Sequence, residues 1–280
     1  MTTETLVDGL CFGEGPRWHD GRLYFSDMHA STVYALDEQG NLESIVVLED
    51  DEPSGLGWLP DGRMLIVSMQ KRKLLVFDGN TLSDFADLSE YATWHCNDMV
   101  TDTRGRSYVG NFGFDLHHNG EFCKAAMVLV HPDGSTELAA EELSFPNGTV
   151  ITPEGKTLIV GESFGARLTA FDIAEDGSLS NRREWAPMEG AVPDGICLDD
   201  AGGIWVASPV SNEALRVIEG GEVTDRVKVK NQAYACMLGG KDRKTLFIMT
   251  SASSHPDECS QQKTAAVETI RVEHAGVGLP

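Results

Sequence analysis

DGRMLIVS, Asp61–Ser68, sets an Asp-Gly turn directly ahead of a short apolar, β-branched run, and the same arrangement returns five more times along the chain. The other copies are DGRLYFSD (Asp20–Asp27), RGRSYVGN (Arg104–Asn111), EGKTLIVG (Glu154–Gly161), GGIWVAS (Gly202–Ser208) and DRKTLFIMT (Asp242–Thr250). They recur about every 40 to 50 residues, the blade period of a β-propeller. Asp and Gly supply the tight turn, and Val, Ile, Tyr and Phe fit the pleated strand that leaves it.

Each copy is followed by a second run that ends in charged or turn residues: STVYALDEQG, RKLLVFDGN, AMVLVHPDG, ARLTAFDI, EALRVIEGG and VETIRVEH. Alternation in segments such as VYALD has a period of two, which sends side chains to opposite faces of a sheet. Each copy is also preceded by a short run of Gly and apolar residues: EGPRW from Glu14, SGLGWL from Ser54, NDMVTD from Asn97, NGTVIT from Asn147, DGICLD from Asp194 and ACMLGG from Ala235. With one outer strand added, these make four-stranded blades. A large β-sandwich also has many short strands, but nothing in it requires one motif to recur six times. The sequence predicts an all-β chain without helical periodicity, a six-bladed β-propeller with four-stranded antiparallel blades forming one domain over residues 1–280. Leu6 and Val7 in TETLVDG, ahead of the first complete blade, predict that the N-terminal segment closes the ring beside the last blade.

Forty-four acidic against 22 basic residues give a formal charge of -22, a field that repels nucleic-acid backbones and anionic membranes. No apolar run approaches the roughly 18 residues of a membrane span. The six cysteines form no C-x-x-C pair, and MTTETLVDGL has no basic, apolar leader, so the expectation is free thiols in the cytoplasm. A monomer or weak homo-oligomer is the expectation.

Aligning the inner strands on the following turn brings out one position. Ser54, Asn97, Asn147 and Asp194 each stand eight residues before the turn glycines Gly62, Gly105, Gly155 and Gly202, and Glu14 stands seven before Gly21. Residues equivalent by repeat converge at one end of a propeller's channel. Two carboxylates would meet two amides there, and a divalent ion keeps both carboxylates ionised. Oxygen donors suit Ca²⁺ first; Zn²⁺ follows, and Mn²⁺ or Mg²⁺ are compatible. Asn or Asp before Gly is also an ordinary turn former, but turn chemistry alone does not ask for acids and amides in register.

With EGPRWHDGRLYFSD, CNDMVTDTRGR, FPNGTVITPEGKTLIV, PDGICLDDAGGIWVA and the tail VETIRVEHAGVGLP in order, the chain resembles the SMP-30/gluconolactonase/luciferin-regenerating-enzyme (regucalcin) family over nearly its whole length. The resemblance implies one metal held by Glu14, Asn147 and Asp194, with Asn97 beside the metal or the substrate, and hydrolysis of a lactone. Asp194 is the candidate general base, because a carboxylate beside the metal can take the proton of the attacking water. An aryl-esterase or organophosphate-hydrolase activity at the same metal, or a propeller that binds without turnover, are the alternatives.

The chain also departs from the family. Sugar-lactonase members often carry an arginine two residues before the asparagine of the ND motif, where this chain has His95. The carboxylate expected after the next strand is best matched by Asp115, in NFGFDLHH. Phe112, Phe114, Trp94, Phe145 and Phe164 would make the pocket mouth apolar and favour a less hydroxylated lactone, unless they serve only in blade packing. Asn97, His95, Asp115 and Phe112 are thus the candidate substrate contacts. His95 is either a second acid-base group or a hydrogen-bonded loop residue, His117 and His118 read as a solvated loop pair, and Cys96 and Cys236 as buried fillers.

Overall fold

The computed structural model describes residues 2–279; Met1 and Pro280, the two ends of the expected 1–280 domain, lie outside the described residues. Six four-stranded antiparallel sheets follow one another along the chain. The first blade runs Gly13–His19, Arg22–Asp27, Thr32–Leu36 and Leu42–Val47 from the inside outward, and the next four repeat that order. The six inner strands touch in sequence around a ring, and Gly13–His19 of the first blade meets Gln232–Gly239 of the last. This is the six-bladed propeller that the repeated turn predicts.

Closure follows the expected route. Glu4–Leu10 pairs antiparallel with Ala265–Arg271 and so supplies the outer strand of the sixth blade from the opposite end of the chain. At the far end of the channel, Leu279 exchanges two backbone hydrogen bonds with Ile151, and the Val277 N–H donates to Leu198 O. The C-terminal tail thereby ties the fourth and fifth blades together. Apolar side chains fill the wedges between blades; Phe25 of the first blade and Phe247 of the sixth share one buried cluster with Trp205 of the fifth.

The turn glycines Gly62, Gly105, Gly155 and Gly202 all have positive φ, and each donates its N–H to a carbonyl three residues earlier. In the sixth blade Arg243 takes that place, with φ 59° and the same bond to Gly240 O. One feature departs from the all-strand reading: Pro256–Gln262 is an α-helix. It is too short to show an apolar period, and only its proline at the first turn and two acids, Asp257 and Glu258, mark it. It packs Cys259 under the rim, beside the 3₁₀ turn Met28–Ala30.

Candidate active site

The inner strands do not run straight into the channel. Pairing with the second strand slips between Glu14 and Arg17, Pro53 and Leu56, Cys96 and Met99, Pro146 and Thr149, and Ala233 and Ala235. Each slip is a β-bulge, which bends a strand and re-aims the side chain that it carries. Glu14, Ser54, Asn97, Asn147 and Tyr234 sit at these bulges, and Asp194 stands two residues ahead of the three-residue strand Ile196–Leu198. The residue after the bulged position presses on the next blade: a Cβ on Gly148 would come 2.4 Å from Ile196 N, and one on Gly195 2.5 Å from the Ala235 Cβ. Glycine follows Asn147 and Asp194 because the backbones meet there.

Glu14, Asn97, Asn147, Asp194 and Tyr234 open into a cavity of about 590 Å³ at one end of the channel. Glu14, Asn147 and Asp194 line it together with Asn97, His95, Asp115 and Phe112, whereas Ser54 and Phe114 do not border it. Glu14, Asn97 and Asn147 are buried, and Asp194 is half-buried with the cavity before it. The Asn147 Nδ2 donates to Ser163 Oγ at 3.3 Å, and the Asn97 Nδ2 to Pro146 O at 3.2 Å. Tying down both amide nitrogens leaves each carbonyl oxygen available as a donor to a cation.

The electrostatics of the floor are those of a cation cradle. Burial, then the neighbouring Asp194 and Asp98, hold the Glu14 carboxyl well above the usual range. Burial likewise pushes Asp194 up to about 8, with Asp98 adding to it and the Asn147 amide opposing it. Arg17, below Glu14, is already committed: it binds Asp98 at 2.5 Å and donates to Leu56 O, Pro16 O and Met99 O. Two facing carboxylates without a free basic partner fit an oxygen-ligated divalent ion. Among the described residues no three His, Cys, Asp or Glu side chains gather at metal-binding spacing, so such an ion needs the amide oxygens as well.

The walls are uneven. Trp94 lies parallel to His95 at 5.1 Å and Phe112 stacks on Phe145 at 4.7 Å, with His95 and Phe112 6.1 Å apart between them. Burial lowers the His95 pKa, with Glu52 and Asp115 acting against it. The Asp115 carboxylate accepts from the His118 backbone N–H and ring, which hold it at the rim. His118 is exposed as expected, but His117 is half-buried in the cavity wall with its ring 5.8 Å from that of His255, so the two are not one solvated pair.

Tyr234, His29 and His255 were not among the expected residues. Tyr234 is the sixth member of the channel ring, packed on Phe12 at 4.7 Å with its hydroxyl donating to Gln232. Its signal is hidden because the turn after it carries one more residue and Arg243 instead of glycine. His29 and His255 come from segments between strands, where no repeat position marks them. The six cysteines are unpaired, the nearest sulfurs being those of Cys197 and Cys236 at 4.0 Å. Among the described residues no helix is long and apolar enough to cross a membrane.

Comparison with known proteins agrees with the ring. The family model described as the SMP-30/Gluconolactonase/LRE-like region matches residues 12–253. Regucalcin of Danio rerio is 26% identical over 283 residues, covering 96% of this chain and 92% of that protein. The pentonolactonase XacC of Haloferax volcanii is 24% identical over 293 residues, 100% of this chain and 97% of its own. The crystal structure of a calcium-binding protein, regucalcin, from Agrobacterium tumefaciens superposes with a TM-score of 0.83 at 18% identity, over 100% of this chain and 96% of the other.

Proposed function

The chain belongs to the SMP-30/gluconolactonase/LRE-like family, and on that premise we propose that it is a hydrolase of carboxylic esters that opens a small lactone with the help of one divalent ion. The observation that carries this reading is the meeting of Glu14, Asn147 and Asp194, from three different blades, in the floor of one cavity beside Asn97. The lactonase name of the Haloferax relative supports the reaction class, and the calcium-binding character of the Agrobacterium regucalcin supports calcium as the first choice of ion.

In this reading Glu14, Asn147 and Asp194 hold the ion through oxygen, and Asn97 directs its carbonyl oxygen to the ion or to the substrate. A bound divalent ion polarises the ester carbonyl and acidifies water. The residues of the chain do the rest. Asp194 accepts one proton from the attacking water as its oxygen bonds to the carbonyl carbon. It returns that proton to the ring oxygen as the ring C–O bond breaks, so the product is an open hydroxy acid. The new carboxylic acid releases its own proton to solvent. Ser163 fixes the Asn147 amide, and the Trp94, Phe112 and Phe145 rings limit water on one side of the reacting carbonyl.

Proton release from a panel of lactones, with Ca²⁺, Zn²⁺, Mn²⁺ or Mg²⁺ added in turn, tests the reading. Asp194→Ala is expected to lower kcat on the best substrate by about 10²–10⁴-fold, the usual worth of a positioned proton acceptor. A variant as fast as the parent refutes the assignment of Asp194.

A further inference from the structure

Three rings of the cavity wall, Phe112, Phe145 and Phe164, belong to a ladder of aromatic side chains that continues outside the cavity through Phe114 and Phe122. Phe145 stacks on Phe112 and meets Phe164 at 5.2 Å, Phe164 stacks on Phe122 at 5.6 Å, and Phe114 stands edge-on to Phe164 at 5.5 Å. Phe164 and Phe122 are 55% and 46% exposed, although large apolar side chains at a rim lose free energy to water. Phe145 itself holds φ 64°, in the left-handed region that favours glycine. That ring stands one residue ahead of the strand Pro146–Ile151, which carries Asn147, and although mostly buried it also borders the cavity.

The charge of the same cavity narrows what it accepts. Among the described residues no Lys or Arg lines it, whereas Glu52, Asp115 and Asp257 do, in addition to the two carboxylates of the floor. Both ring nitrogens of His29 face protein acceptors, Glu52 at 2.8 Å and Ser254 O at 3.3 Å, so the ring is engaged within the wall. A lactone bearing phosphate or sulfonate meets five carboxylates and no Lys or Arg in this lining, the ring nitrogens of His95, His117, His118 and His255 being its only basic groups besides His29. A polyhydroxylated ring would lay hydroxyls against the faces of Phe145 and Phe164, leaving them without partners.

We propose that the ladder seats the aryl group of a neutral, aryl-substituted lactone, which is then the preferred substrate class of this site over sugar-acid and anionic lactones; the inference rests on the lactonase reading above. An aryl ring laid on Phe164, with Phe145 beneath it in the wall, exchanges the exposed apolar surface of Phe164 for aromatic contact and leaves no polar group unpaired.

The test compares γ-phenyl-γ-butyrolactone with γ-butyrolactone, which have the same ring and differ by the phenyl group, and D-glucono-1,5-lactone with its 6-phosphate, all with calcium present. The expected result is a kcat/KM at least about tenfold higher for the phenyl lactone than for the unsubstituted ring, falling below about threefold in Phe164→Ala, with the phosphorylated lactone the poorest of the four. Equal rates with and without the phenyl group, or a preference that survives Phe164→Ala, overturn the proposal. Calorimetric titration with 2-phenyltetrahydrofuran, which keeps the skeleton and lacks the carbonyl, reads the subsite without turnover. If it binds about tenfold more tightly than tetrahydrofuran and Phe164→Ala removes the difference, the ladder stands even where no lactone is hydrolysed and the lactonase reading fails. If it binds no better than tetrahydrofuran, the ladder is refuted even where lactones turn over.

Discussion

Glu162 has no exposed surface and gathers donors from four neighbours. Arg167 binds it through Nε at 2.9 Å and Nη2 at 3.2 Å, Arg182 at 3.1 Å, Thr169 at 2.5 Å, and the Ser144 backbone N–H at 2.7 Å. Burial works against its charge, but Arg167, Thr169 and Ser144 together hold the carboxyl below the ordinary range. A folded pKa lower than the unfolded one adds stability above the usual glutamate value of about 4.3, and that stability is lost as acid carries the pH down through the folded value. Thermal melts of Glu162→Gln are expected to start from a lower Tm at neutral pH and to fall less steeply than the parent below about pH 4.5. Parallel acid limbs for the two proteins would show that the carboxylate is not stabilising. Glu162 is also next in sequence to Ser163, the hydroxyl that orients Asn147. At this scale the sequence was most readable where a side chain repeats. Glu14, Asn147 and Asp194 could be found from their distance to a turn glycine. Tyr234 could not, since its turn is lengthened, and His29, His255 and Ser163 occupy loop positions whose geometry depends on neighbouring blades.

The strands were legible because each begins at a turn with its own chemistry and alternates thereafter. The bulges were not, since a slip of register depends on how two strands pair and not on what either contains. They are nonetheless what turns the floor residues toward the channel. The outer strand Glu4–Leu10 carries a sharper consequence, because it is the one strand of the ring contributed by the opposite end of the chain. It covers the edge of Ala265–Arg271 and packs Leu6 and Val7 against the cluster shared by the first, fifth and sixth blades. Removing residues 1–9 uncovers that edge and releases the seam, and is expected to lower Tm by about 10 °C, equivalent to a few kcal/mol in a chain of this size. Scanning calorimetry of the truncated chain decides it, and an unchanged Tm would show that the ring closes without this strand. The helix Pro256–Gln262 illustrates the opposite case: seven residues are too few for periodicity to speak, and its place is set by Cys259 under the rim.

Taken whole, the molecule puts the proposed ligands Glu14, Asn147 and Asp194 on separate blades, so a cation held by them would link parts of the ring that are distant in sequence. Binding confined to the folded ring raises stability by mass action. Calcium at about 1,000 times its dissociation constant is worth about 4 kcal/mol, so a rise in Tm on the order of 10 °C over the EDTA-treated protein is expected. Glu14→Gln, which removes one of the two floor charges, should lose most of that shift, as followed by the calcium dependence of Tm; a full shift in the variant would exclude Glu14 from the set of ligands. The fold class was open to sequence reading because six copies of one turn leave few architectures to choose from, whereas the shape of the walls was not, because it arises from loops of unlike length.

Glu14, Ser54, Asn97, Asn147, Asp194 and Tyr234 arrive one from each sheet, so the width of the floor is a property of the circumference. Adding or losing a sheet would carry all six outward or inward together. Rewriting the segments at 113–123 or 252–264 would alter only the surroundings. Such a scaffold can exchange the molecules it admits while the gauge of its innermost ring stays fixed.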